Sequence, residues 1–163
     1  MRGYTLIELI VVMVLIGLML AVGVPRFQGA LLTDDLKLTT RQIIGLVRGL
    51  RNKAIQEQQR YYLHLDLEKN VYWIDSGADG EAQRELARQN AVKLAEEVRV
   101  IDVWSQSKGK QAVGEAVIRF SAKGYVDQTA IHLGAADDRQ VTMVLAPFLG
   151  TVEIHDKYVD IGD

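Results

Sequence analysis

Glu8 is the residue whose chemistry most needs explaining. It stands at the border of a stretch, residues 9–25, that carries no charge over 17 positions. A charged side chain held in an apolar helix is unfavourable by about 2.5–3.5 kcal/mol on insertion scales, so a chain that keeps one normally supplies a partner. The nearby candidate is an α-amine, created if the chain were cut after Gly3. Tyr4 would then be the first residue and Glu8 the fifth. One helical turn separates those positions. Glu8 would therefore meet its own amine, or that of a neighbouring copy displaced along the helix axis.

Other chemistry-bearing residues are sparse. His64, His132 and His155 each fall in a segment with strand alternation, and no two have metal-ligand spacing. They read as exposed or partly buried strand histidines. Asp75, Asp79 and Gly80 have the outline of a calcium-loop start, but Gly77 stands at its third position and Leu86 at its twelfth. A turn is expected there instead. Asp156, Asp160 and Asp163 read as a solvated acidic tail. The chain has no cysteine, hence neither a disulfide framework nor a thiolate metal site. No Gly-rich phosphate loop, nucleophile elbow or His-Glu zinc pair occurs. Trp73 and Trp104 read as core or sheet-edge packing rather than a base-stacking platform. No catalytic residue, metal or cofactor is expected.

The charge balance is split. Residues 26–60 carry seven basic against three acidic side chains, whereas residues 61–163 carry eleven against seventeen. Phosphate contacts supply most nucleic-acid affinity, so the net −6 of the second part opposes a nucleic-acid partner. The basic stretch follows the apolar run directly. It reads as solvated helix charges and lipid headgroup contact.

The elements that must position these residues follow from periodicity. Residues 9–25 would form a helix about 25 Å long, at the short end of a membrane span. A secretory signal peptide would end its apolar core at a small-residue cleavage site, whereas here an amphipathic helix pattern continues. Pro25, with Gly23 before it, predicts a kink or local unwinding near Val22. From residue 33 to 59 Leu36, Ile43, Val47, Leu50 and Ala54, with Leu32 ahead of them, form one apolar stripe. Thr33, Asp34 and Asp35 supply a cap and first-turn acids. Gly45 and Gly49 form a small-xxx-small pair expected to pack against the domain. The full helix, residues 4–59, would span about 80 Å.

After Arg60 the period changes to two. Residues 61–67 and 71–75 predict a β-hairpin, residues 81–93 a short amphipathic helix, and residues 98–104 a strand. Residues 105–114 read as a polar, mobile loop. Strands are expected at 116–121, 130–133, 140–145 and 151–155, with turns at 123–124, 134–138 and 147–150. A long helix followed by antiparallel strands is an α+β arrangement.

The run Gly3-Tyr4-Thr5-Leu6-Ile7-Glu8-Leu9 and the apolar stretch behind it resemble the type IV prepilin and pseudopilin family. Its pattern is a Gly, then Phe or another aromatic or Met, Thr, Leu, and Glu at the fifth mature position, before a long apolar helix. Tyr4 departs from the usual Phe, and the leader Met1-Arg2-Gly3 is very short. The resemblance implies leader cleavage after Gly3 and N-methylation of Tyr4 by a prepilin peptidase/methyltransferase, with Glu8 and Thr5 serving subunit assembly. It implies a pilin-like fold organised as a leader (1–3), a transmembrane and assembly helix (4–25), an amphipathic periplasmic helix (26–60) and a β-rich periplasmic domain (61–163).

More loosely, Ile118-Arg119-Phe120-Ser121-Ala122-Lys123-Gly124, Ile131 to Leu133, Val141 to Leu145 and Gly150-Thr151-Val152 resemble the minor pseudopilin H (GspH/FimT-like) subgroup. The Pro-rich loop and acidic calcium end of the major pseudopilin are not found. The resemblance implies a subunit of a type II secretion pseudopilus, anchored by one pass in the inner membrane. Its partners would be other major and minor pseudopilins in a hetero-oligomeric fibre. The alternative is a minor type IV pilin priming a surface or DNA-uptake pilus.

Overall fold

The computed structural model describes residues 6–162 except Leu149; of residues 20–34 it describes the backbone and not the side chains. Helix α1 runs unbroken over Leu6–Glu57. Its second half is amphipathic in the expected way. Leu36, Ile43, Ile44, Val47, Leu50 and Ala54 are buried on one face, together with Thr39 and Thr40, while Arg41, Arg48 and Asn52 face solvent. Thr40 keeps its buried hydroxyl satisfied by donating to the Leu36 carbonyl, 2.7 Å away. The helix ends where Gln58 turns into the left-handed region (φ 52°) and Gln59 N–H reaches back to the Ala54 carbonyl at 3.1 Å. That is a Schellman closure with a non-Gly residue at its turning point. The Gln58 amide offsets the strain by donating to Ile55 O at 2.7 Å.

Strand β1 (Tyr61–Asp66) shows clean alternation, with Tyr61, Leu63 and Leu65 inside. It lies between β2 (Val71–Ser76) and β6 (Glu115–Phe120), and β3 (Val92–Lys93) flanks β2. The second sheet has the order β5 (Gly109–Gln111), β4 (Val98–Ser105), β7 (Thr129–Ala135), β8 (Gln140–Leu145), β9 (Val152–His155). Both sheets are antiparallel throughout. Their inner faces share one core with α1, in which Leu63, Leu65, Ile118, Phe120, Ile131, Leu133, Met143 and Leu145 are buried. The fold is α+β, a long N-terminal helix packed on antiparallel sheet.

Several expectations are corrected. The short helix α2 covers Glu81–Gln89 and stops before residue 93. Asn90 closes it with backbone and side-chain donors to Leu86 O, and Val92 and Lys93 then pair with Tyr72 and Val71. The supposed loop at 105–114 contains β5, which turns back through Gly109 (φ +72°) to pair Gln111 with Val103. Gly134 is not in a turn but inside β7. The turn falls just beyond it, where Asp138 N–H reaches Ala135 O and Ala135 N–H reaches Arg139 O. Gly45 and Gly49 do not pack against the domain. Both are exposed, with no atom within 4 Å of where a Cβ would stand.

Candidate functional site

The first turn of α1 contains Glu8, and the side chains from Leu6 to Met19 project into solvent around the whole circumference. Leu6, Ile7 and Met19 are 82, 71 and 78% exposed, and even the least exposed large apolar side chain of this stretch, Val12, is 49% exposed. A helix that is apolar all round is stable only when lipid or other helices cover it. Among the described residues no helix is long and apolar enough to cross a membrane. The described apolar side chains end at Met19, and the remainder of the charge-free run belongs to side chains outside the description. Gly3, Tyr4 and Thr5, the expected cleavage, methylation and assembly positions, also lie outside the described residues. Around Gly23 and Pro25, the expected kink, the backbone is helical and the side chains lie outside the description. Glu8 has no ion pair among the described residues.

The sequence reading missed a polar cluster on the outer face of the second sheet. A β-bulge in β4 shifts the register between Val100 and Asp102, so that Asp102 pairs with His132 on β7. The bulged Ile101 fits because it lies over Gly134, where a Cβ would come within 3.0 Å of its Cδ1. His132 is 1% exposed, contrary to the expectation of an exposed or partly buried residue. Its Nδ1 lies 2.7 Å from Asp102 Oδ1 and its Nε2 2.9 Å from the Val159 carbonyl. Both neighbours carry acceptor oxygens. Tyr158 stacks on the ring at 4.1 Å and donates its hydroxyl to Asp102 Oδ2 at 3.1 Å. The Lys110 ammonium donates to the Tyr158 oxygen at 2.6 Å, and that bond, then the charge of Asp102, hold Lys110 above its ordinary range. Thr142 completes the arrangement by donating to Lys157 O and accepting from Val159 N–H. The cluster fastens the C-terminal segment across the sheet.

On the outer face of the first sheet His64 lies between Glu115, 2.6 Å from Nδ1, and Asp75, 3.1 Å from Nε2. The Asp75 contact is close but poorly aligned, which leaves Nε2 buried without a hydrogen bond. The ring stacks on Trp73 at 5.0 Å. Asp75 thus belongs to β2 and is buried, not part of a turn. His155 lies on β9 opposite Thr142, which on its other side pairs with His132, so one strand separates these two histidines. Among the described residues no three His, Asp or Glu side chains are placed to hold a metal ion.

Residues 1–24 match the family described as the prokaryotic N-terminal methylation motif. No curated protein matches the chain in sequence. Two solved structures of the minor pseudopilin EpsH, from the type II secretion system of Vibrio cholerae, have a similar fold. One aligns with TM-score 0.52 at 13% identity over 75% of this chain and 97% of that one. The other gives 0.54 at 13% identity over 78% and 97%. The chain thus carries a prepilin-type N-terminal methylation motif on a pilin-like α+β fold shared with a minor pseudopilin.

Proposed function

We propose that this chain is a minor pseudopilin, a non-catalytic structural subunit of the periplasmic fibre of a type II secretion system. The observation that carries the reading is the continuity between the methylation motif at residues 1–24 and a single helix over Leu6–Glu57 whose leading side chains are apolar and uncovered. Before assembly those side chains lie in the inner membrane, with the domain on the periplasmic side. A prepilin peptidase cuts after Gly3 and methylates the Tyr4 amine. During assembly the helix exchanges lipid for the helices of other pseudopilins. The Glu8 carboxylate then offsets the amine of a neighbour and sets the axial register, with Thr5 alongside.

Intact-mass and N-terminal peptide measurements on the mature protein from its native membrane test the processing step. A chain beginning at N-methyl-Tyr4 is expected, and one beginning at an unprocessed Met1 refutes the reading. Glu8→Ala tests assembly. It should leave insertion intact and abolish co-purification with other pseudopilins; unchanged incorporation and secretion would overturn the role given to Glu8.

A further inference from the structure

A groove of about 910 Å³ crosses the outer face of the first sheet and ends against the corner at Gln106 and Gln128 of the second. Three guanidinium groups line it, each from a different element: Arg60 from the α1–β1 connection, Arg84 from α2 and Arg119 from β6. Among the described residues none of the three has an ion-pair partner. Of the carboxylates that share the groove, Asp75 lies against His64, 3.1 Å from Nε2, and Asp127 accepts from the Ser107 hydroxyl. Tyr125 and Phe148 stand at its rim as an edge-on aromatic pair 5.5 Å apart, 48 and 73% exposed. In a domain whose balance from residue 61 onward is −6, this concentration of unpaired cations runs against the trend.

The backbone along the groove is also incomplete. β6 pairs with β1 over all six of its residues, and its other edge has only the single bridge from Phe120 to Val126. The edge groups from Glu115 to Arg119 have no strand partner among the described residues. An arginine on such an edge also serves to discourage indiscriminate pairing. That role accounts for Arg119 but not for Arg60 and Arg84, which lie on other elements and converge on the same space. We propose that the groove binds an extended acidic peptide segment, which adds as a strand to the free edge of β6. Its carboxylates meet Arg60, Arg84 and Arg119, and an apolar side chain between them packs on Tyr125 and Phe148. A single-stranded nucleic acid also suits cations beside aromatic rings. The two aspartates in the groove and the acidic surround favour the peptide. Assigning the segment to a neighbouring fibre subunit rests on the function proposed above; the groove's preference for an acidic strand does not.

The test is fluorescence anisotropy with the full chain in detergent micelles at about 0.15 M salt. The labelled probes are a peptide of about ten residues alternating Glu with Val, the Lys–Val counterpart, and a Glu–Val peptide N-methylated at alternate residues. An oligothymidine of about the same length completes the set. The Glu–Val peptide should bind, and the Lys–Val and N-methylated peptides should bind at least about tenfold more weakly. Arg84→Glu should weaken the Glu–Val peptide about tenfold. This variant should fold normally, since no residue of α2 is buried. Arg119→Glu, on the strand itself, should do the same. The proposal is overturned if the Glu–Val peptide fails to bind, if Lys–Val binds equally well, if oligothymidine binds more tightly, or if Arg84→Glu changes nothing. A failed titration with normal processing after Gly3 refutes the groove alone. An unprocessed N-terminus with an intact titration refutes the fibre role alone.

Discussion

Asp102→Ala tests how the C-terminal segment is held. Asp102 and His132 are each 1% exposed, so the carboxylate compensates a ring whose two nitrogens both face acceptors. Truncation removes the 2.7 Å partner of His132 Nδ1 and the 3.1 Å acceptor of the Tyr158 hydroxyl, and it takes the nearest carboxylate from Lys110 at 3.5 Å. Breaking a buried pair from one side costs about 3–5 kcal/mol, because the surviving partner stays buried without its counterpart. Against a stability of about 5–15 kcal/mol for an ordinary domain, that is a large fraction. For a chain of this size it corresponds to a fall in Tm of about 6–20 °C. Thermal unfolding of the full chain in micelles, followed by circular dichroism, measures it. Adding His132→Leu to Asp102→Ala should recover part of the loss, since an apolar replacement leaves no stranded polar group. Two results would refute the reasoning: a single variant melting within about 2 °C of the parent, or a double variant less stable than the single one.

Two further perturbations probe the frame that carries the helix. The Tyr61 hydroxyl, bonded to the Glu57 carboxylate and then buried, has its pKa pushed from 10.0 to about 12. Because the folded value lies above the unfolded one, this group's stabilisation is complete below about 10 and is lost as pH rises toward about 12. Absorbance titration of tyrosinate should find one late-titrating tyrosine that Glu57→Gln moves to lower pH. Gly124 has φ +79°, and a Cβ there would stand 2.6 Å from Ile55 Cδ1, while its carbonyl accepts from Arg51 Nε at 2.9 Å. Gly124→Ala should therefore cost about 1–3 kcal/mol in chemical denaturation; a neutral result would show that the contact between this turn and α1 yields freely.

The elements that announce themselves by period were legible in the residues. Ile43, Val47, Leu50 and Ala54 recur on one face of α1 and are all buried, and Tyr61, Leu63 and Leu65 alternate into the core. Gly45 and Gly49 were misplaced although the same arithmetic locates them. Each lies two positions from a stripe residue, about 200° around the helix, and both face away from the domain. β5 was illegible for another reason. Gly109-Lys110-Gln111 has no apolar alternation, and its strand character comes from pairing with β4. The Asp102–His132 pair was hidden by the bulge at Ile101, because unshifted alternation would set Asp102 opposite Ile131. The groove joins residues from the α1–β1 connection, α2 and β6, so no local window could display it. At the other extreme, residues 1–24 form one contiguous motif, legible without any tertiary contact.

Two halves of one helix thus obey different rules. From Leu36 onward α1 has a domain to bury against, and that buried face fixes the sheets rigidly to the helix. Between Leu6 and Met19 no side of the helix is buried within the chain. About 40 Å of helix separates Glu8 from Leu36, the first residue of the buried face. The buried face of the globular domain lies far from the Glu8 carboxylate, and in the fibre proposed above the counter-charge comes from the N-terminus of its own chain or of a neighbour. In a stack of parallel helices both needs are met by one displacement, because the neighbour that covers the apolar surface also brings an amine. Since the domain is locked to the same helix, whatever fixes the axial position of Glu8 also fixes the height of the domain. In the proposed fibre a contact at one end of α1 would then decide which surfaces of adjacent domains meet at the other.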